Sequence, residues 1–227
     1  MKVLGVTLAR GGSKRISRKN VRELEGKPLI AWTIQEALQS KYLDKYIVST
    51  EDDEIAKVSI ENGAVVLERP KELAQDDTPS IDALQQAVRA MEERYGKFDI
   101  IADIRCTNPL KKAEHIDGAI EYLIQTQGDS VIGVSQAYPV ERIKRVVDGK
   151  IKDIIHEPAD GQSQNLPESW VRNGSLYVVW RDVLMEQGVL FGHDESYAYK
   201  MPREYSVNID DELDWALAGL LLKARGA

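Results

Sequence analysis

Apolar residues along this chain fall into two alternating kinds of run. Val3–Leu8, Tyr46–Ser49, Ala64–Leu67, Ile100–Ile104 and Val131–Val134 are short and nearly continuous, as in strands buried on both faces. Between them the pattern changes period. Ile81, Leu84, Val88 and Met91 recur at helical spacing, and so do Ile116, Ala119, Ile120, Leu123 and Ile124. A third stripe, Leu213, Ala216, Leu217, Leu220 and Leu221, predicts a C-terminal helix. Strands alternating with helices imply parallel pairing through right-handed crossovers, with helices covering both faces. The expected fold is one α/β domain over residues 1–227, a doubly wound, mostly parallel, Rossmann-like sheet. Ligands of such sheets gather in loops beyond the carboxyl ends of the strands.

The alternation lapses between Tyr138 and Glu168. Pro139, Gly149, Pro158, Gly161 and Pro167 punctuate two short alternating pieces, residues 145–147 and 150–154. They predict a hairpin inserted over 138–168, either an antiparallel edge of the sheet or a dimerisation arm.

Composition narrows the function. At 227 residues and 43% hydrophobic, the chain can build one substantial core. No apolar run approaches the length of a membrane span, so none is expected. The apolar start meets Arg10-Gly11-Gly12 directly, which reads as a buried strand rather than a signal peptide. Cys106 is the single cysteine; it excludes an internal disulfide and fits a reducing, cytoplasmic setting. A formal charge of −7 and a pI near 5.2 argue against nucleic acid, whose phosphates call for a broad basic face.

One stretch opposes that acidic background. From Arg10 to Lys27 seven Lys or Arg stand against two acids, and the run "LARGGSKRISRKN" leaves the end of the first strand. Two glycines let the backbone turn close to a ligand, and Arg10, Lys14, Arg15, Arg18 and Lys19 surround the turn with cations. The matching guest is a polyphosphate. Neither G-x-x-x-x-G-K-[ST] nor G-x-G-x-x-G occurs here. A solvated basic turn is the plain alternative, but the position at a strand end and the closing Gly26-Lys27-Pro28 before an apolar helix favour phosphate.

"LARGGSKRISRKN…GKPLIAWTI" resembles the N-terminal signature of the acylneuraminate cytidylyltransferases, which make CMP-sialic acids. "ERPKELAQDDTPSIDAL" (68–84), "CTNPLK" (106–111), "RNGSLYVV" (172–179) and "SVNIDDELDW" (206–215) are similar to further segments of that family, in the same order. The resemblance implies attack by the anomeric hydroxyl of a nine-carbon keto-sugar acid on the α-phosphorus of CTP, with pyrophosphate leaving and Mg²⁺ required. It assigns Arg10, Lys14 and Lys19 to the triphosphate as catalytic groups, Lys19 foremost. Leu8, Ala9, Gly11, Gly12, Ser13 and Asn20 complete the nucleotide loop, and Arg69 and Ser80 frame the base. On the acceptor side it points to Arg105, Thr107, Arg172 and Asn173. Plain structural readings stand beside three of these: a turn or cap for Asn20, a surface position for Arg69, a tight turn for Asn173-Gly174. The resemblance also implies a homodimer in which the 138–168 excursion reaches the partner's sugar site.

Two departures stand out. The family's D-I-D metal motif here begins with Asn208, leaving Asp210 as the retained acid; Asp211, Glu212 and Asp214 equally suit the opening of a helix. Arg105 takes the place of a frequent Gln, where it would pair either with the acceptor carboxylate or with Asp103. Legionaminic, pseudaminic and deaminated sialic acids all remain compatible. The competing readings are a cytidylyltransferase for another acidic sugar such as Kdo, or a silent nucleotide-sugar binding protein. His115, His156 and His193 show no metal-ligand spacing, so zinc is not expected.

Overall fold

The computed structural model describes residues 1–158, 166–192 and 195–226. Seven strands form one sheet. In chain order they are β1 (Val3–Leu8), β4 (Lys45–Thr50), β5 (Val65–Glu68), β6 (Ile100–Ile104), β7 (Ser130–Gln136), β10 (Trp170–Trp180) and β11 (Ser196–Lys200). Their spatial order is β11-β7-β10-β6-β1-β4-β5. All neighbours are parallel except β10, which runs antiparallel to both β6 and β7. A two-residue ribbon, β2 (Glu23–Leu24) with β3 (Lys27–Pro28), closes the basic loop.

Strand alternation decides which helix each side chain meets. On β6, Ile100, Ala102 and Ile104 pack with α1 (Leu29–Leu38) and α4 (Ala113–Thr126) through Ile30, Ile34, Ile116 and Ile120. Ile101 faces the other way, toward Leu84, Val88 and Met91 of α3 (Ser80–Tyr95) and Leu184 of α5 (Arg181–Glu186). Each such side chain stabilises the fold by about 1.5–3 kcal/mol when fully buried. The sheet is thus covered on both sides, as the sequence pattern requires. α2 (Asp53–Glu61) begins at Asp52, whose carboxylate accepts from the Ile55 N–H at 2.9 Å.

The C-terminal helix α6 (Glu212–Ala224) corrects one expectation. Its buried residues are Trp215, Ala218, Gly219 and Leu222, which pack on Ile16, Leu29, Trp32 and Ile209. Leu213, Leu217 and Leu220 of the expected stripe stay exposed, at 77%, 45% and 66%. The helix is apolar on most of its surface, so periodicity alone could not choose the face; packing on the cluster of Ile16, Leu29, Trp32 and Ile209 chose it.

The excursion contains β8 (Lys144–Val147) and β9 (Lys150–Asp153), an antiparallel pair that forms its own two-stranded sheet and does not join the main edge. Part of the expected 138–168 insert, like His193, lies outside the described residues. Among the described residues no helix is long and apolar enough to cross a membrane.

Candidate active site

The loop after β1 is pinned at its base. The Ala9 N–H donates to Ser49 O at 3.0 Å, and the Asn20 amide donates to Arg10 O at 2.9 Å. Gly11 is forced by close approach: a Cβ there would stand 2.5 Å from Asp52 Oδ2. Its N–H donates to Glu51 Oε1 at 2.7 Å, and the Ser13 N–H turns back to Gly11 O at 2.9 Å. These amides are therefore engaged by the protein, and it is the cationic side chains that face the cleft.

A cavity of about 620 Å³ opens beyond the carboxyl ends of β1 and β6. Leu8, Arg10, Ser13, Lys14, Lys19 and Asn20 line it from the loop, Arg69 from the segment before α3, and Ser80 from the first residue of α3. Arg105 and Thr107 close it from the turn after β6, and Asp210 from the segment before α6. Ala9, Gly11 and Gly12 shape the loop without lining the cavity. With Arg15, six cations line the space against two carboxylates, Asp76 and Asp210, a surplus that complements a triphosphate. Arg18 is not among them. It turns away to Asp52, at 2.7 Å, and Glu54, and those carboxylates raise its pKa further above the ordinary arginine value.

Asp76 was not singled out in the sequence, and it holds the centre of the loop's charge. Its carboxylate bridges Arg10, at 3.1 Å, and Lys14; the two cations hold its pKa below the usual carboxylate range. Lys19 donates to Ile209 O at 2.7 Å, tying the basic loop to the segment that carries Asp210. Arg69 is buried; its guanidinium donates to Ser49 O at 2.5 Å and to Ser49 Oγ at 3.2 Å. Burial lowers its pKa, with Glu51 and Asp103 opposing. It is no surface residue.

The residues expected on the acceptor side separate. Arg105 donates from Nε to the fully buried Asp103 at 2.7 Å, so the ion-pair alternative is realised while the guanidinium still lines the cavity. That carboxylate raises the pKa of Arg105. Arg105 also lies over the Tyr177 ring at 5.0 Å; Tyr177 packs on Phe191, and Arg172 lies over Phe191 at 4.4 Å. Tyr177, inside the quoted "RNGSLYVV" segment, was the available sign of this stack. Asn173 points inward. It is buried, and its amide donates to Met201 Sδ and to Ser206 Oγ. Asn173-Gly174 forms an irregularity within β10 rather than a tight turn, with Gly174 at φ +61.

Asn208 donates to Asp210 Oδ2 at 3.0 Å, and Arg15 approaches Asp210 Oδ1 at 3.2 Å. Among the described residues no cluster of three or more His, Cys, Asp or Glu forms a metal cage. One carboxylate facing a phosphate-sized space nevertheless fits Mg²⁺, which takes one or two protein carboxylates and keeps water and phosphate oxygens. Asp211 caps α6, accepting from Leu213 and Asp214 N–H groups, so that acid belongs to the helix start.

Fold and cavity together are those of the α/β nucleotidyltransferase class. The chain belongs to the cytidylyltransferase family, whose profile, described as "Cytidylyltransferase", matches residues 4–164. It is 36% identical over 222 residues to N-acylneuraminate cytidylyltransferase A of Danio rerio, covering 95% of this chain and 50% of that protein. It is 31% identical to the CMP-N,N'-diacetyllegionaminic acid synthase of Legionella pneumophila, covering 98% of this chain and 97% of that one. The chain therefore spans about half the length of the fish relative and nearly all of the bacterial one. A solved CMP:2-keto-3-deoxy-manno-octonic acid synthetase complexed with CTP superposes with a TM-score of 0.76 over 99% of this chain and 100% of its own, at 16% identity. At that identity the likeness concerns the fold.

Proposed function

We propose that this protein transfers a cytidylyl group from CTP to the anomeric hydroxyl of a nine-carbon keto-sugar acid, releasing pyrophosphate. The observation that carries the reading is the single cavity where the glycine loop's cations, Arg69, Ser80, Arg105 and Asp210 converge. Arg10 and Lys14 exchange Asp76 for the β- and γ-phosphates. Lys19, held beside Ile209 O, lies between the phosphate loop and the metal segment. Arg69 and Ser80 border the base. A new bond forms from the sugar oxygen to the α-phosphorus as the bond to pyrophosphate breaks, and the hydroxyl proton passes to water. Asp210 would hold Mg²⁺, which when bound neutralises charge on the phosphate oxygens, and Asn208, whose amide donates to Asp210, would orient that carboxylate or turn its own carbonyl to the ion. Arg105 and Arg172, at the two ends of the Tyr177–Phe191 stack, offer cations to the acceptor carboxylate.

Pyrophosphate release with CTP, Mg²⁺ and a panel of sialic, legionaminic, pseudaminic and Kdo acids tests the reading. Turnover on a nine-carbon acid is expected. Turnover on Kdo alone, or CTP binding by calorimetry with no turnover on any acid, overturns it.

We also propose a cytoplasmic homodimer. The exposed Leu217 and the partly buried Leu221 border a second cavity of about 450 Å³ with Tyr138 and Val171, and a second copy of this chain would cover that apolar face. Light scattering giving twice the chain mass supports this. A monomer at assay concentration, or an unchanged dimer in Leu217→Glu, counts against it.

A further inference from the structure

The turn that follows β6 is the common reference of the cleft. The Arg105 N–H donates to Ser175 O of β10 at 2.9 Å, and Thr107 O accepts from the Ile209 N–H at 2.8 Å. The Asn108 amide donates to Tyr205 O at 3.0 Å. Cys106 Sγ lies 3.3 Å from Asn20 Oδ1, and Asn20 in turn holds Arg10 O. The phosphate loop, the acceptor-side strand and the Asp210 segment are therefore each tied to residues 105–108.

At the end of this turn lies Lys111, wholly shielded from solvent. Its ammonium donates to Arg105 O at 2.7 Å, to Asn108 O at 2.5 Å and to Thr33 Oγ1 of α1 at 2.8 Å. Three N–H groups meet three acceptors, which satisfies a protonated lysine completely. Two of those bonds clamp the turn onto itself and the third anchors it to a rigid helix. A buried cation used this way is costly to place, so its hydrogen bonds must be specific.

We propose that Lys111 is a positioning residue for the transfer: its ammonium fixes the 105–108 turn and, through it, the placement of the nucleotide loop and Arg105 relative to Asp210. The proposal rests on the cytidylyl-transfer reading above. The titratable groups facing Lys111 are Glu36 from α1, Asp103 from β6, Cys106 and Arg105 from the turn, and His115 from α4. Burial draws its pKa down to about 7, against the pull of Cys106, Glu36 and Asp103.

Lys111→Met removes all three bonds at similar volume, and Lys111→Arg keeps a charged donor. In protein shown folded by near-UV dichroism, kcat of Lys111→Met should fall about 10–100-fold, as for a misplacement of order 1 Å. Its CTP affinity by calorimetry should stay within about threefold, a change of about 0.7 kcal/mol. Lys111→Arg should recover most of kcat. Equal losses of kcat and CTP affinity, or a kcat within threefold of the parent, overturn the proposal. Should Lys111→Met fail to fold, Thr33→Val removes one anchor and leaves the lysine: kcat should drop with CTP affinity unchanged, and an unchanged kcat overturns it. Amide hydrogen exchange separates the two readings. Faster exchange at Ile209 with unchanged exchange at Ile101 supports the clamp even if no acid is turned over, whereas unchanged exchange at Ile209 rejects it.

Discussion

Arg69→Met tests a residue that is anchored in the fold and, on the proposed reading, borders the nucleotide. The guanidinium makes two bonds to Ser49, one of them to a backbone carbonyl at 2.5 Å, and is 5% exposed. A hydrogen bond from a charged donor contributes about 1.5–3 kcal/mol, and both of these come from the one guanidinium. Removing them leaves the Ser49 carbonyl buried without its donor and takes a cation from the neighbourhood of Glu51, whose Oε2 is buried without a partner. Loss of the cost of burying the guanidinium offsets part of this, and Met refills most of the volume. The net destabilisation should be about 2–3 kcal/mol, a drop in Tm of roughly 4–12 °C for a chain of this size. Urea denaturation without nucleotide measures the first quantity; calorimetry with CTP and Mg²⁺ should show affinity reduced about tenfold or more, the loss of one charge-assisted bond. A variant as stable as the parent to within about 0.5 kcal/mol, well below any such bond, would refute the anchoring argument even if CTP binding were lost.

Asp76→Asn should tighten CTP binding about threefold at low salt, and less at 0.5 M, because the triphosphate no longer competes with a carboxylate for Arg10 and Lys14; weaker binding on calorimetry would show that Asp76 serves the ligand. Gly174→Ala imposes φ near +61 on a residue with a Cβ, which would also stand 2.9 Å from Asn208 Oδ1. It should lose roughly 1–2 kcal/mol in urea and raise the Mg²⁺ concentration needed for half activity. Asn208→Asp restores a second acid beside Asp210, so half-saturation by Mg²⁺ should fall; no change would remove position 208 from the metal's surroundings. Burial draws the folded-state pKa of Lys111 down to about 7, so the three-bond clamp is complete below that pH, whereas the unfolded chain holds the proton to about 10.5. The unfolded state thus binds more protons between those values, so this group makes stability rise with pH there. The difference in urea midpoint between the parent and Lys111→Met should accordingly shift toward the parent from pH 7 to 9, and a constant difference would contradict the buried titration.

Much of the architecture was written in local pattern. Buried strands need continuous apolar runs and covering helices need apolar stripes, so Ile100–Ile104 and the Leu84–Val88–Met91 stripe declared themselves without tertiary information. The cationic glycine loop was legible for the same reason: glycines beside clustered cations are contiguous, and a strand end is where such a loop can act. What lies between distant segments was not legible. Arg18 and Lys14 carry the same charge in the same loop, yet Asp52 and Glu54 draw one away while Asp76 holds the other in the cleft. Asn173 offered an amide in sequence and spends it on Met201 and Ser206. Lysine is normally a surface residue, and the burial of Lys111 depends on carbonyls that only the folded turn points toward it. An aspartate inside the apolar Ile-Ala-Asp-Ile run was the one hint of buried charge, and its partner Arg105 was two residues away. The sequence by itself therefore determined the layered sheet, its covering helices and the cationic loop, because these depend on spacing within one segment. Only the tertiary structure decided the exposed face of α6, the reversal of β10 and the pairing of each charge, because those depend on which remote groups compete for the same contact.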